Sequence, residues 1–104
     1  MGIAAVASIP AGSTATSTVP VVLDNGEPRS VHTAVCTAAA STTGGVVTLE
    51  ISQDGVNWFK TAMATLTAAG VTTTTVTAAA RFVQAVITTT VTGGSVGVTV
   101  HSAA

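Results

Sequence analysis

The chain has almost no charge. Of its 104 residues only 7% are Asp, Glu, Lys or Arg, against roughly 25% in an average soluble protein. Its three basic residues, Arg29, Lys60 and Arg81, leave no electrostatic footprint for nucleic acid. Aromatic residues are as scarce: Trp58, Phe59 and Phe82, with no Tyr. The single cysteine, Cys36, excludes an intrachain disulfide and fits a protein made inside a cell. No run approaches the ~18 apolar residues of a transmembrane helix, so no membrane partner is expected. The opening "MGIAAVASIPAGS" has no basic segment ahead of its small apolar residues, and a secretory signal is not expected.

What remains is Thr, Ala and Val, which together exceed half of the chain. Val and Thr are β-branched and suit a pleated surface, whereas Ala, Ser and Gly bury little area. The composition therefore reads as an all-β protein with a thin core. A large apolar side chain contributes about 1.5–3 kcal/mol on burial, and few are available to oppose about 1–2 kcal/mol of backbone entropy per residue. Burial against neighbouring subunits is an obvious remedy. A net charge of −1 gives little self-repulsion to oppose it.

Residues 1–17 are rich in Ala, Gly and Ser and are interrupted by Pro10. They read as an extended N-terminal arm with one short strand around Ile3 to Ser8, able to add to a neighbour's sheet edge. Residues 18–104 read as the folded domain. A strand over Thr18–Leu23 ends in a turn at Asp24-Asn25-Gly26 that Pro28 reinforces. "RSVHTAVCTAA" alternates around Val31, Thr33 and Val35. In "VVTLEIS", Val47, Leu49 and Ile51 share one face and Thr48, Glu50 and Ser52 the other. "NWFKTA", "VTTTTVTA", "RFVQAVITT" and "SVGVTVHS" follow, the last with Val96, Val98 and Val100 alternating inward. Turn signals every 8–12 residues predict an antiparallel β-sandwich of about seven or eight short strands.

The most informative stretch is "LEISQDGVNWFKT", Leu49 to Thr61. Asp54-Gly55 is a two-residue hairpin signal, because a type I′ turn needs positive φ at both positions. That register pairs Ile51 with Trp58 and turns Trp58 toward the core beside Leu49 and Ile51. A three-residue loop with Gly55 as the bulge residue instead brings Phe59 inward and turns Trp58 out beside Glu50. The inward Trp58 is preferred, since the core is otherwise short of volume.

"S-x-D-G-x-x-W" at Ser52, Asp54, Gly55 and Trp58, followed by "ARFVQAVIT" and a terminal hydrophobic strand, resembles the discoidin-like β-sandwich. It is also similar to small virion proteins of tailed phages. The likeness covers roughly Gly45 to His101. It implies a virion module assembled in the host cytoplasm, of the capsid-decoration (cement) type. Such modules are small β-domains, often trimeric, that clamp the major capsid protein or other virion subunits with terminal arms. On that reading Ile3, Val6, Ile9 and Pro10 of the arm, with Arg29 and Arg81, are the interface candidates. A tail, neck or fibre component and a small carbohydrate-binding module are the alternatives. An outward Trp58 favours the sugar module, and a buried one the structural subunit.

Candidate chemistry is sparse. His32, Cys36 and His101 lack the three or four converging ligands that zinc needs. Asp24, Asn25 and Asp54 sit in turn signals, where backbone capping accounts for them better than calcium does. Arg81 should pair with a carboxylate such as Glu50 or Asp54, or anchor a partner subunit. Glu27 and Arg29 flank Pro28 as solvated or interface residues. No nucleophile stands in an activating context. The sequence thus predicts neither an enzyme nor a cofactor.

Overall fold

A computed structural model describes residues Ala4–Ala103. They form one antiparallel sheet of six strands: β1 (Ala4–Ser13), β2 (Leu23–Ala38), β3 (Gly44–Ser52), β4 (Trp58–Thr65), β5 (Gly70–Thr92) and β6 (Val96–Ala103). The strand order is β1-β6-β2-β5-β3-β4. The all-β expectation holds, but the strand count is six rather than seven or eight, and all six share one hydrogen-bonded sheet.

Two mergers account for the lower count. The Thr-rich run and "RFVQAVITT" are one continuous strand of 23 residues, β5. Its first half pairs with β2 and its second half with β3, and the change of partner falls at Phe82 and Val83. Likewise Asp24-Asn25-Gly26 does not reverse the chain. The pairing of β2 with β5 slips between Asp24 and Arg29, so the extra residues form a bulge inside β2. Gly26, at φ +74°, takes the left-handed conformation that this bulge needs. The segment read as a strand at Thr18–Leu23 is loop until Leu23.

The sheet folds over on itself. β1 and β5 are separated by β6 and β2 in the strand order, about 14 Å in a flat sheet. Yet the Ala85 N–H donates to Ser8 Oγ at 3.0 Å and the Val91 N–H to the Thr14 carbonyl at 2.9 Å. Ile9 from β1, Val96, Val98 and Val100 from β6, and Val47, Leu49 and Ile87 from β3 and β5 consequently join one core cluster. None of the aromatic residues is among the fully buried side chains, which are Ile, Leu and Val with smaller residues and His32. This is the thin core that the composition implied.

The first strand departs from the arm expected for residues 1–17. Ala4–Ser13 pair along β6, from Ala4 opposite Ser102 to Ser13 opposite Val96. Val6 packs against the core and Ile9 lies within it. Alternation explains this: Val6, Ser8 and then Ile9, shifted by the slip after Ala7, supply enough inward-facing residues for a strand even in an Ala-rich run. Ile3 lies outside the described residues.

Candidate functional site

The tip between β3 and β4 is built by side chains. Asp54 Oδ1 accepts the N–H groups of Val56 and Asn57, each at 2.8 Å, and Oδ2 accepts Asn57 Nδ2 at 2.8 Å. Ser52 Oγ accepts the Gly55 N–H at 2.9 Å and donates to Asp54 Oδ1 at 3.0 Å. Gly55 adopts φ +78°. Hydrogen bonds from the Asn57 and Val56 N–H groups hold the Asp54 carboxyl well below the usual carboxylate range. Gln53 Nε2 donates to the Ala79 carbonyl, tying the tip to β5. These bonds use the oxygens that a calcium ion or a substrate would need, so Asp54 is a cap.

The cap settles the facing of Trp58. Residues 53–57 form a five-residue loop, and Ser52 pairs with Trp58. The preferred type I′ register, Ile51 opposite Trp58, is therefore wrong by one residue, and neither shorter loop occurs. Because a slip of one position exchanges the faces, Trp58 lies on the face of Ser52, opposite to that of Leu49 and Ile51. It is half-buried there. Phe59, opposite Ile51, comes to the core side but at the outermost strand, where it stays 61% exposed.

Three rows of side chains cross the outer face. Ser52 lies between Trp58 and Phe82, Glu50 between Lys60 and Gln84, and Thr48 between Met63 and Val86. Gln84 Nε2 donates to Glu50 Oε1 at 2.8 Å, and both residues are buried. A shallow cavity of about 180 Å³ opens beside β4, lined by Thr48, Lys60, Thr61, Ala62 and Met63. That is smaller than the roughly 300–1,000 Å³ of drug-sized ligand pockets.

The remaining candidates are dispersed. Arg81 Nε donates to Asp24 Oδ1 at 2.8 Å and Nη2 to Oδ2 at 3.0 Å, so its partner is neither Glu50 nor Asp54. This bond to Arg81, with the Gly26 N–H donating to the same carboxylate, lowers the Asp24 pKa. The guanidinium also sits 4.8 Å from the centre of the Phe82 ring. His32 is fully buried, with Nε2 3.0 Å from the carbonyls of both Arg29 and Ala78 and Nδ1 2.7 Å from Ser102 Oγ. Carbonyl oxygens only accept, so Nε2 is the donor to both. His101 pairs with Thr33, one position along from the His32–Ser102 pair, and faces the other side. Cys36 shares the inner face with His32, and burial pushes its thiol up to about 11, the state of an inert thiol. Among the described residues no three His, Cys, Asp or Glu side chains group where a metal could sit.

The exposed apolar residues escaped the sequence reading as a pattern. Val19, Val21 and Val22 are exposed in the loop between β1 and β2. Val56, Phe59 and Met63 are exposed at and before β4, Met63 to 70%. Only the less favoured three-residue-loop register turns Phe59 inward, and nothing local says that its strand is outermost. No protein-family model matches the chain, and no curated protein matches it.

Proposed function

We propose that this chain is a non-enzymatic structural subunit of a virion, decorating and reinforcing a phage capsid. The observation that carries the reading is the placement of its exposed apolar side chains. Among the described residues all but Val71, on β5, gather at the two ends of the strand order, Val19, Val21 and Val22 beside β1 and Val56, Phe59 and Met63 on or before β4. A surface with so few charges, marked by two apolar patches, suits contact with other subunits. The folded-over sheet is read as the two layers of a β-sandwich that share β5. The Val19–Val22 loop is assigned to the major capsid protein, and many weak copies on a lattice then stabilise it collectively.

The test is immunogold labelling of particles from the source with antibody raised against the purified chain. Label over capsids supports decoration. Label confined to tails or fibres moves the subunit along the particle, and unlabelled particles of every kind overturn the reading. In the capsid case, a Val19→Ser, Val21→Ser, Val22→Ser triple variant should lose occupancy and lower the temperature of capsid disruption.

A second reading has one observation in its favour. Trp58 lies on the face opposite that of Leu49 and Ile51 and is half-buried there, so part of its ring is open to stack on a sugar in the manner of a small carbohydrate-binding module. Saturable change of Trp58 fluorescence with a glycan, abolished in Trp58→Ala, is the outcome that would favour it.

A further inference from the structure

Between Asp24 and Arg29 the pairing of β2 with β5 is interrupted, and the interrupted stretch contains the dipeptide Asn25-Gly26. An asparagine ahead of a glycine can react with its own backbone. The nitrogen of the following residue attacks the side-chain carbonyl carbon and closes a five-membered ring, and glycine has no Cβ to obstruct the approach. Gly26 is exposed at φ +74°, and nothing lies within 4 Å of where its Cβ would stand.

Both reacting groups are nevertheless held. The Gly26 N–H, whose nitrogen is the nucleophile, donates to Asp24 Oδ1 at 2.8 Å. Asn25 Nδ2, the leaving group, donates to the Arg81 carbonyl at 3.0 Å. Arg81 in turn clamps the Asp24 carboxylate through Nε and Nη2. That bond first, and the Gly26 N–H second, lower the Asp24 pKa, which makes the carboxylate a steady acceptor and a poor base. Asn25 Oδ1, the oxygen on which negative charge would develop, is shielded and has no donor.

We propose that Asn25 is a self-modification site, converted through a cyclic imide with Gly26 to aspartate or isoaspartate, and that Asp24 and Arg81 latch it shut in the intact bulge. The Gly26 nitrogen gives its proton to solvent and bonds to Asn25 Cγ. The Cγ–Nδ2 bond breaks, and the nitrogen takes up a proton and leaves as ammonia. Water then opens the ring at either carbonyl, so that amide and water become carboxylic acid and ammonia. The change runs one way. The new carboxylate has no N–H for the Arg81 carbonyl, and it adds a negative charge beside Asp24 to a chain of net charge −1. The latch cannot re-form, and β2 loses a tie to β5 next to Phe82, where β5 changes partner. The inference stands on the bulge alone and holds whether or not the chain serves a virion.

Incubation of the full chain in mildly alkaline buffer, followed by peptide mass spectrometry, tests this. Each of the two hydrogen bonds holds its own opening down by about two- to tenfold. The folded chain should therefore convert at Asn25 more slowly than the same chain in guanidinium, by about fourfold to a hundredfold. Asp24→Ala, shown to be folded by circular dichroism, should convert about two- to tenfold faster than the folded wild type, and Gly26→Ala should not convert. Asn57, followed by the bulky Trp58, is the internal control and should lag behind Asn25 in the unfolded chain. Rearrangement at Asp54-Gly55 leaves the mass unchanged and does not interfere. In the converted chain, isolated by its added charge, hydrogen exchange across Leu23–Asp24 and Phe82–Val83 should quicken. Equal rates for the folded and unfolded wild type overturn the inference. A slower Asp24→Ala would make Asp24 the base that promotes the reaction, an unchanged one would make it a bystander, and either result overturns it. An unfolded chain that keeps Asn25 intact, or a converted chain with unaltered exchange, does so too.

Discussion

The two outer strands of this sheet are similar in length, differ in composition and are treated in opposite ways by the fold. β1 is ten residues, mostly Ala with Ser and Gly, and appears the poorer strand. It is nonetheless locked: Ile9 is in the core, and Ser8 bonds at once to Val21 and Ala85. β4 contains Trp58, Phe59 and Met63, yet its large side chains stay outside the core cluster. Strand order, rather than hydrophobicity, decides which residues are buried. β1 is folded back over β5, so its modest side chains are enclosed, whereas β4 has a neighbour on one side.

The largest expected effect tests this comparison directly. Ile9→Ala should destabilise the domain by about 2–5 kcal/mol, as truncation of a buried aliphatic side chain does, and urea denaturation measures it. A midpoint unchanged from the wild type would mean that β1 is a loose arm after all.

Ser8→Ala should cost somewhat less, about 1–3 kcal/mol, because it leaves the buried Ala85 N–H without its acceptor. Hydrogen exchange sharpens the test: the amides of Val21 and Ala85 should lose protection while those of β4 are unaffected. Equal loss at both edges would break the distinction.

The entry to β4 depends on the Asp54 cap, and the sign of its pH dependence is defined. The carboxyl is depressed in the folded state, so its contribution is complete above the unfolded value of about 3.9 and is lost as pH falls through the lower folded value. Asp54→Asn should melt below the wild type at neutral pH, with the gap narrowing only under about pH 4. A gap that closes between pH 8 and 6 would point to another group.

Smallest of all, Phe59→Ala should change the stability of the monomer by no more than about 0.5 kcal/mol, despite removing the larger side chain. Replacing Asp24 by Asn should likewise be minor, since its pair with Arg81 is largely exposed. A loss at Phe59 comparable to that at Ile9 would erase the contrast between the edges.

Much of the strand content was legible in the residues. The division of β3 into Val47, Leu49 and Ile51 against Thr48, Glu50 and Ser52 follows from alternation alone. So does the inward set Val96, Val98 and Val100 of β6. The candidate site was less legible. Arg81 suggested a carboxylate partner, but Asp24, 57 positions away, was not among those named. Trp58 was placed one residue from its true register, because Asp54 and Ser52 build a longer loop than Asp-Gly alone calls for.

By itself the sequence determined that this chain is all-β, with a thin core. Those properties follow from side-chain volume, β-branching and period-two alternation, which act over a few residues. Only the tertiary structure decided the rest. It made Asp24-Asn25-Gly26 a bulge instead of a turn, because β5 was present to pair on both sides of it. It joined two segments into β5, because β2 and β3 each needed a neighbour. It also enclosed β1 and left β4 open. A strand's partners are chosen by what else in the chain can reach it, and no local pattern encodes that choice.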